Sequence, residues 1–308
     1  TLRGVLDKAG EPASVLDGAG THRVLICQGG ETSATVFEDL VIQNGNSSDY
    51  GGGMRNNGSS PTLANCTFDS NSDVNEGGGM YNVQSSPILT SCTFTGNSAF
   101  YGGGMRNRDS TPTLSDCTFS GNAGTYGGGM YNNLSSPTLT DCMFAGNSAT
   151  YGGGMYNNQS NSTLIGATFT SNSASDGGGM YNYSSTPALT NCTFEGNSAD
   201  RGGGLVNENA SSPSLTDCAF TNNSASIESG GMLNKNNSSP ALTDCTFTSN
   251  SATYGGGMSN NNSSPALSDC TFTSNWAEYG GGMNNYSSSN PTLTNCTFTN
   301  NSAVYIGG

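Results

Sequence analysis

The sequence predicts an all-β chain folded as a right-handed parallel β-helix (a β-solenoid) of about 11 coils of 25–27 residues, with three short parallel sheets. A phenylalanine recurs at steps of 25 to 27 residues, and an asparagine follows each one three positions later. Insertions fall only between this asparagine and the next glycines, or between the following methionine and the next proline, as expected for loops on a solenoid. The phenylalanines are Phe68, Phe94, Phe119, Phe144, Phe169, Phe194, Phe220, Phe247, Phe272 and Phe298.

Each copy contains three short segments that predict strands. Examples are Pro-Thr-Leu-Thr at 137–140, Cys-Thr-Phe-Thr at 245–248 and Gly-Gly-Met-Tyr-Asn at 128–132. Because successive side chains of a strand point to opposite faces, the leucine, the cysteine with the phenylalanine, and the methionine with the asparagine share an inner face. No window has the period of an α-helix. We take the right-handed sense from the general handedness of parallel crossover connections.

The repeat divides the chain into a divergent start and a regular body. Residues 1–45 are predicted to form divergent N-terminal coils of the solenoid, and residues 46–308 form ten regular coils of one continuous domain. In the divergent part Leu40 stands where the repeat has cysteine, Ile42 where it has phenylalanine and Gly45 where it has asparagine. The chain begins at Thr1 without a secretory leader, and we expect a mature form or a fragment.

Two asparagine positions recur in every regular copy, and we interpret both as structural. A side-chain amide carries donors and an acceptor, so stacked asparagines hydrogen-bond along a column and cap the backbone at turns. The glycine triplets are interpreted as coil corners and not as phosphate-binding loops, because no helix follows them. The first column is Asn71, Asn97, Asn122, Asn147, Asn172, Asn197, Asn223, Asn250, Asn275 and Asn301. The second is Asn56, Asn82, Asn107, Asn132, Asn157, Asn182, Asn207, Asn234, Asn260 and Asn285.

Nine of the ten cysteines form a further column, in which Ala167 fills the remaining copy. Their spacing does not match a zinc site. Since alanine replaces cysteine there, we interpret the column as buried free thiols, and disulfides between adjacent coils are the alternative. Cys27 lies outside the column and has no evident partner. The column is Cys66, Cys92, Cys117, Cys142, Cys192, Cys218, Cys245, Cys270 and Cys296.

An acidic residue precedes the cysteine in several copies and is the one candidate for a metal site. Asp217, Asp244 and Asp269 fall on consecutive coils, so their carboxylates would stack, and calcium would neutralise such a stack. A turn-capping role is favoured, because asparagine takes the same position in other copies. The single histidine, His22, has no companion triad residues. We therefore expect no cofactor and no catalytic activity.

Tyrosines form the most suggestive pattern outside the predicted core. One set precedes the glycine triplets, and another follows the methionine on what should be the outer face. Stacked aromatic rings bind sugar rings or a partner surface, and they also stabilise a sheet from outside; both interpretations remain open. The candidate recognition surface is Tyr101, Tyr126, Tyr151, Tyr131, Tyr156, Tyr181, Tyr254 and Tyr279.

The charge of the chain argues against two classes of partner. The formal net charge is −14 with eight basic residues. Binding to nucleic acid or to an anionic membrane surface requires clustered lysine and arginine, so we expect neither. No apolar run is long enough to cross a bilayer, and no membrane insertion is expected.

The paired motifs Gly-Gly-x-apolar and Phe-x-x-Asn resemble the repeats of the chlamydial polymorphic outer-membrane proteins. The coils are also similar to those of other bacterial surface right-handed parallel β-helix repeat proteins, which read like Ser-Pro-Thr-Leu-Thr-Asn-Cys-Thr-Phe. The match covers roughly residues 40–308. This resemblance implies secretion, display on the bacterial cell surface and, for the chlamydial family, adhesion.

We expect an extracellular or cell-surface structural or adhesive protein, whose partner is a glycan or protein on a cell surface. One alternative is a subunit of an extracellular filament, in which copies of this chain stack head to tail. Both end coils carry strand-like apolar residues and no cap, which motivates that alternative. The other alternative is a polysaccharide-binding or polysaccharide-cleaving β-helix. The axial-assembly candidates are Thr1, Leu2, Leu6, Leu16, Tyr305 and Ile306.

Overall fold

The computed structural model describes residues 1–308 and confirms the predicted fold class, a parallel β-helix built entirely from strands. The 45 strands are two to five residues long. The two longest sheets contain 12 strands each, so the chain makes about 12 turns where about 11 were expected. Every coil contributes one strand to each sheet that it crosses, and each strand pairs with its equivalents in the coils before and after it.

The leucine sheet, named for its inward residue, contains 12 strands. In the regular coils each strand places one leucine inward, between two outward residues that are mostly threonine, serine or alanine. The strands are Leu2–Arg3, Val36–Glu38, Thr62–Ala64, Ile88–Thr90, Thr113–Ser115, Thr138–Thr140, Thr163–Ile165, Ala188–Thr190, Ser214–Thr216, Ala241–Thr243, Ala266–Ser268 and Thr292–Thr294.

The phenylalanine sheet follows along the chain and also contains 12 strands. Each regular strand buries one phenylalanine, whose ring stacks on the rings of the adjacent coils. The strands are Ser14–Asp17, Leu40–Gln43, Thr67–Asp69, Thr93–Thr95, Thr118–Ser120, Met143–Ala145, Thr168–Thr170, Thr193–Glu195, Ala219–Thr221, Thr246–Thr248, Thr271–Thr273 and Thr297–Thr299.

The methionine sheet contains 11 strands. A methionine or leucine and the second-column asparagine point inward, and the residue between them points outward. The strands are Leu25–Cys27, Met54–Asn57, Met80–Val83, Met105–Arg108, Met130–Asn133, Met155–Asn158, Met180–Tyr183, Leu205–Glu208, Met232–Lys235, Met258–Asn261 and Met283–Tyr286.

A fourth sheet, absent from the sequence-based prediction, pairs the segments between the first-column asparagine and the glycine triplet. These segments take the insertions, which favours a loop when the sequence is considered alone. Single bridges at Ser148 and Tyr151 join its two parts into one continuous surface. The first part is Asn46–Ser47, Ser72–Asp73, Ser98–Tyr101 and Ala123–Tyr126; the second is Ser173–Asp176, Ser198–Arg201, Ser224–Glu228, Ser251–Tyr254, Trp276–Tyr279 and Ser302–Ile306.

The core is a set of parallel ladders of identical side chains. Neighbouring phenylalanine rings lie 4.6–4.8 Å apart between centroids, with interplanar angles of 2–5°. Leucine, cysteine and methionine fill the remaining space. In the regular coils before the last one, these side chains are almost completely buried. In the last coil Leu293 and Phe298 are 44% and 40% exposed, because no further coil of this chain covers them.

Both asparagine columns are buried hydrogen-bonded ladders. At Asn172, the side-chain nitrogen donates to the carbonyl oxygen of Phe144 (2.9 Å) and to Oδ1 of Asn197 (3.0 Å). Its Oδ1 accepts from the backbone nitrogen (3.0 Å) and Nδ2 (2.9 Å) of Asn147. In the second column Nδ2 of each asparagine donates to Oδ1 of the next, as between Asn157 and Asn182 at 2.9 Å. The structural interpretation of both columns is confirmed.

A serine ladder, which the sequence analysis missed, parallels the asparagines. After the first member, each serine hydroxyl accepts a hydrogen bond from the backbone nitrogen of the serine one coil earlier, at 3.0 Å between Ser135 and Ser160. Its sequence signal is a serine at a nearly constant distance after the second-column asparagine. The members are Ser59, Ser85, Ser110, Ser135, Ser160, Ser185, Ser211, Ser238, Ser263 and Ser289.

The glycine triplets are the corners at which consecutive coils approach most closely. A Cβ atom on Gly154 would lie 2.6 Å from the carbonyl oxygen of Gly179 and 2.8 Å from Cδ1 of Phe169, which leaves no space for any side chain. The first glycine of this triplet, Gly152, has a φ of +65°, in the left-handed region. The triplets are therefore required by backbone packing, as the sequence suggested.

Residues 1–45 extend the same sheets with different side chains. Leu40 and Ile42 are buried in the core in the cysteine and phenylalanine positions. Gly45 has no side chain to continue the first asparagine column, but its backbone nitrogen donates to Oδ1 of Asn71 at 2.8 Å. The segment before Ser14 contains an antiparallel bridge between Leu6 and Pro12, a local hairpin outside the repeat pattern.

Replacing Asn172 with alanine is expected to lower the free energy of unfolding by about 1–3 kcal/mol, because its buried partners lose their hydrogen bonds without gaining water. Urea unfolding followed by circular dichroism measures this change. Asn133→Ala is the matched control, since Asn133 is partly exposed and its side chain makes no hydrogen bond in the protein. It should change stability by less than about 0.5 kcal/mol. Equal stability of the two variants would contradict the ladder's role.

Candidate functional site

The fourth sheet and the adjoining outer side of the methionine sheet form a surface that we call the tyrosine face. The first aromatic group on this surface consists of two adjacent columns of tyrosine rings. Tyr101, Tyr126 and Tyr151 end the fourth-sheet segments and stack at 5.3 and 5.2 Å between centroids. The rings of Tyr131 and Tyr156, from the methionine sheet, lie 5.1 Å apart between centroids and are tilted by 37°. The two columns contact each other, so the group is one packed aromatic layer.

Three of the predicted recognition tyrosines are buried, which corrects their expected place on an open outer surface. Tyr131, Tyr156 and Tyr181 are 6%, 7% and 4% exposed. They point away from the main core, as alternation requires, but the fourth-sheet tyrosines pack over them. Burial raises the pKa of Tyr131 above its usual range. These three residues support the sheet from outside, and only their covering layer is open to a ligand.

The remaining members of the recognition surface are more accessible. Tyr101, Tyr126 and Tyr151 are half-buried. A second aromatic group lies farther along the fourth sheet, where Tyr254 is 41% exposed and stacks on Tyr279 at 5.1 Å with an interplanar angle of 14°. A recognition role for these five tyrosines stays a prediction.

A charged band separates the two aromatic groups. Three coils lie between Tyr151 and Tyr254, and in this column they carry Asp176, Arg201 and Glu228. Nη1 of Arg201 lies 3.6 Å from Oδ1 of Asp176. Burial raises the pKa of the Asp176 carboxyl, against the lowering effect of the nearby cations. Sequence analysis missed this band, although its signal was visible as three consecutive replacements in the tyrosine column.

The methionine sheet adds a second ion pair beside the band. Nζ of Lys235 lies 3.0 Å from Oε2 of Glu208, and the Tyr181 hydroxyl donates to the same carboxylate. Burial and this carboxylate raise the pKa of Tyr181 above its usual range, so the hydroxyl keeps its proton. These two pairs neutralise Asp176 and Glu208, whereas Glu228 has no cation partner.

Another buried cation lies beneath the first aromatic group. Arg106 is 4% exposed, and its guanidinium carbon lies 4.2 Å from the ring centroid of Tyr131. Its Nε lies 3.6 Å from Oε2 of Glu76, and burial lowers the pKa of Arg106. Burial also raises the pKa of the neighbouring Asp73 carboxyl, which accepts hydrogen bonds from two backbone nitrogens. These contacts fix the aromatic layer to the sheet.

A cleft of about 370 Å³ opens where the charged band meets the second aromatic group. It is the most clearly bounded concave site on the tyrosine face, and it combines aromatic walls with a carboxylate and an amide. Its lining residues are Ile227, Glu228, Tyr254, Tyr279, Asn284 and Tyr286.

The acidic stack lies on exposed left-handed turns of consecutive coils. Asp217, Asp244 and Asp269 have φ angles of 53°, 53° and 55°, and their side chains are exposed. Hydrogen bonds from Ser268 and Asn295 lower the pKa of Asp269. No group of three or more histidine, cysteine, aspartate or glutamate side chains is arranged to hold a metal ion. The left-handed turn explains why aspartate and asparagine interchange here, since both tolerate that conformation.

All ten cysteines are free, and nine of them are buried. Each column thiol donates to a backbone carbonyl; Sγ of Cys218 lies 3.3 Å from the oxygen of Thr216. The hydrogen bond with the Cys192 thiol raises the pKa of Cys218 to about 12. Cys27 lies at the end of a methionine-sheet strand, where burial raises its pKa to about 11. Within the column the same contact lowers the pKa of Cys192, so it is burial that marks these side chains as packing thiols.

The axial-assembly candidates lie at the two ends of the β-helix. In the first turn, Leu16 is half-buried and Leu2 is 45% exposed. At the other end Tyr305 and Ile306 are 64% and 72% exposed. Thr1 and Leu6 are also exposed. Head-to-tail stacking through these residues stays a prediction.

Comparison with known proteins agrees with the observed architecture. A family model described as "Right handed beta helix region" matches residues 103–232. In fold the chain is an all-β, parallel, right-handed β-solenoid. Its predicted hand is thereby confirmed.

Two solved structures are similar to this β-helix. One is the A-module of the Azotobacter vinelandii mannuronan C-5 epimerase AlgE6, with 12% identity, a TM-score of 0.45, and coverage of 96% of this chain and 87% of that chain. The other is tailspike protein 3 of bacteriophage CBA120, with 14% identity, a TM-score of 0.40, and coverage of 90% and 54%. No curated protein matches the chain in sequence. The β-helix contains no helix that is long and apolar enough to cross a membrane.

The turn interpretation of the acidic column predicts different outcomes for two substitutions. Asp244→Asn should leave the melting temperature unchanged, with or without added calcium, because asparagine fits the left-handed turn equally well. Asp244→Ala should destabilise the fold by about 1–2 kcal/mol, because alanine tolerates that backbone poorly. Thermal unfolding measures both. A rise in melting temperature with calcium that Asp244→Asn abolishes would overturn this interpretation.

The thiols are expected to be unreactive in the folded protein. With a pKa of about 11, only about one in a thousand Cys27 side chains is a thiolate at pH 8. Reactivity of Cys27 towards a disulfide reagent should therefore stay low until the pH approaches 11, whereas all ten thiols react after denaturation. Counting reacted thiols with and without urea checks this. Fewer than ten in urea under non-reducing conditions would reveal disulfides.

Proposed function

We propose that this protein is an extracellular or bacterial cell-surface β-helix with a structural or adhesive role and no catalytic activity, which binds a glycan through its tyrosine face. The observation that carries the proposal is the collection of exposed apolar side chains along the fourth sheet. Phe100, Ile227, Tyr254 and Trp276 are 44%, 43%, 41% and 47% exposed on this sheet. Aromatic residues concentrated on one surface are typical of recognition sites.

The rigidity of the scaffold supports the same proposal. The aromatic layer rests on buried tyrosines and on the ladders below, so its side chains lose little conformational entropy when a ligand binds. The coils repeat along one axis, which suits an elongated ligand that contacts several coils. The resemblance of the Gly-Gly-x-apolar and Phe-x-x-Asn motifs to chlamydial surface repeats supports an adhesive role at the cell surface.

The proposal predicts that the purified chain binds at least one glycan class on an array of immobilised glycans. Replacing Tyr254 and Trp276 together with serine should weaken that binding about tenfold or more, because two aromatic contacts are lost. The matched control replaces Ile88 and Ile165 with serine; they are 42% and 45% exposed on the leucine sheet. The control should bind as the wild type does.

Two outcomes would contradict the proposal. Binding to no glycan at all would remove its basis, and equal losses in both double variants would show that the effect is not specific to the tyrosine face. The release of new reducing ends from the bound polysaccharide would favour the polysaccharide-cleaving alternative. Filaments in electron micrographs of the purified chain would favour the assembly alternative, in which the exposed end residues are the contacts.

A further inference from the structure

The cleft beside the second aromatic group is produced by one irregular coil. Strand Ser224–Glu228 has five residues where the next strand, Ser251–Tyr254, has four. The extra residue shifts the register between these two strands, so Glu228 pairs with Tyr254. Ile227 is left 43% exposed at the rim. A bulge of this kind commonly redirects side chains at functional sites.

The irregular coil leaves aromatic faces uncovered. Tyr254 is the first ring of its stack. Tyr279 covers one of its faces, at 5.1 Å between centroids, and the preceding coil has Glu228 in this position in place of a ring. Tyr286, from the methionine sheet, stacks on no other aromatic ring and is 37% exposed. Two phenol rings are therefore available for contact with an apolar surface of a ligand.

The polar groups of the cleft are held in place, but some of their hydrogen-bonding atoms have no partner in the protein. Oε1 of Glu228 accepts hydrogen bonds from the hydroxyls of Ser259, at 3.1 Å, and Tyr286. Its Oε2 has no hydrogen-bond partner in the protein, and neither does the side-chain amide of Asn284. One free carboxylate oxygen and one free amide thus line the same cleft as the two rings.

We infer that this cleft binds a pyranose ring of a neutral oligosaccharide. A pyranose presents C–H groups on one face, which pack against an aromatic ring, and hydroxyls at its edge, which donate to Oε2 of Glu228 and bond to the Asn284 amide. The volume of about 370 Å³ lies at the lower end of the range for small-ligand sites, enough for one or two sugar rings.

Charge selects a neutral sugar over an acidic one. The cleft contains the Glu228 carboxylate, and the chain carries a net charge of −14. The nearest cation in the column, Arg201, lies beside Asp176 at 3.6 Å and is already paired. A uronate or sulfate group would therefore meet repulsion without a free counter-charge.

The inference rests on the proposed glycan binding and is tested separately from it. Isothermal titration would compare cellohexaose, mannohexaose and galactohexaose with hexagalacturonate on the full chain. We expect at least one neutral hexaose to bind and hexagalacturonate to bind at least about tenfold more weakly. Tyr254→Ala and Tyr286→Ala should each weaken the neutral ligand about tenfold, and Glu228→Gln severalfold, since the amide keeps one acceptor.

Tyr183→Ala is the matched control, because Tyr183 occupies the same strand position as Tyr286, is equally 37% exposed, and lies four coils before Tyr286, outside the lining of the cleft. It should bind as the wild type does, and unchanged circular dichroism and melting temperature would show that every variant folds. If Tyr254→Ala and Tyr286→Ala both bound the neutral hexaose as the wild type does, the assignment of the cleft as the binding site would be wrong, but the proposed function would stand. Preferred binding of hexagalacturonate would overturn the neutral-sugar assignment. Glycan binding by no form of the chain would overturn both.

Discussion

A buried amide that hydrogen-bonds to its own copy in the next coil is the interaction on which this structure depends. Each first-column asparagine inside the stack bonds both to a phenylalanine carbonyl and to the neighbouring asparagine, and its own oxygen accepts two bonds from the coil before it. Sliding one coil by a residue would leave these buried groups unpaired, at a cost that stacked phenylalanine rings alone do not impose. Apolar ladders provide the burial, and amide ladders fix the register. The serine ladder and the second asparagine column repeat this constraint at other points of each coil.

This constraint explains where the chain varies. Side chains inside the coil must match their copies above and below, so phenylalanine, leucine and both asparagines scarcely change. Glycine is fixed at the corners by the approach of neighbouring backbones. The fourth sheet has neither restriction, and it carries the tyrosines, the charged band and the five-residue strand Ser224–Glu228. Variation confined to one face of a uniform scaffold is how repeat proteins acquire binding sites.

The tyrosine face also illustrates how the same residue type serves two purposes. Tyr131, Tyr156 and Tyr181 are covered by a second layer and act as a small outer core. Tyr254 and Tyr286 lack such a cover, because Glu228 interrupts one column and no ring follows the other. Burial in the first group raises the phenol pKa values and keeps the hydroxyls protonated. Exposure in the second group leaves ring faces free for the proposed ligand, so position along the axis, and not residue identity, separates the covered tyrosines from the accessible ones.

The sequence by itself determined the all-β class, the coil length, the inward columns and the structural role of the asparagines. These follow from alternation within a strand and from a strict period, which are local properties. It also indicated, through the interchange of aspartate and asparagine, that the acidic column caps turns, and the left-handed φ at Asp217, Asp244 and Asp269 agrees with that interpretation. Only the tertiary structure decided that a fourth sheet forms, that Tyr131, Tyr156 and Tyr181 are buried, and that a cleft opens beside Tyr254. Each of these depends on contacts between residues about one coil apart. The cleft depends in addition on a register shift caused by a single extra residue in Ser224–Glu228. The alternation of side chains along a strand predicts which way a side chain points. Whether that side chain is buried depends on which residues of the neighbouring coil lie over it.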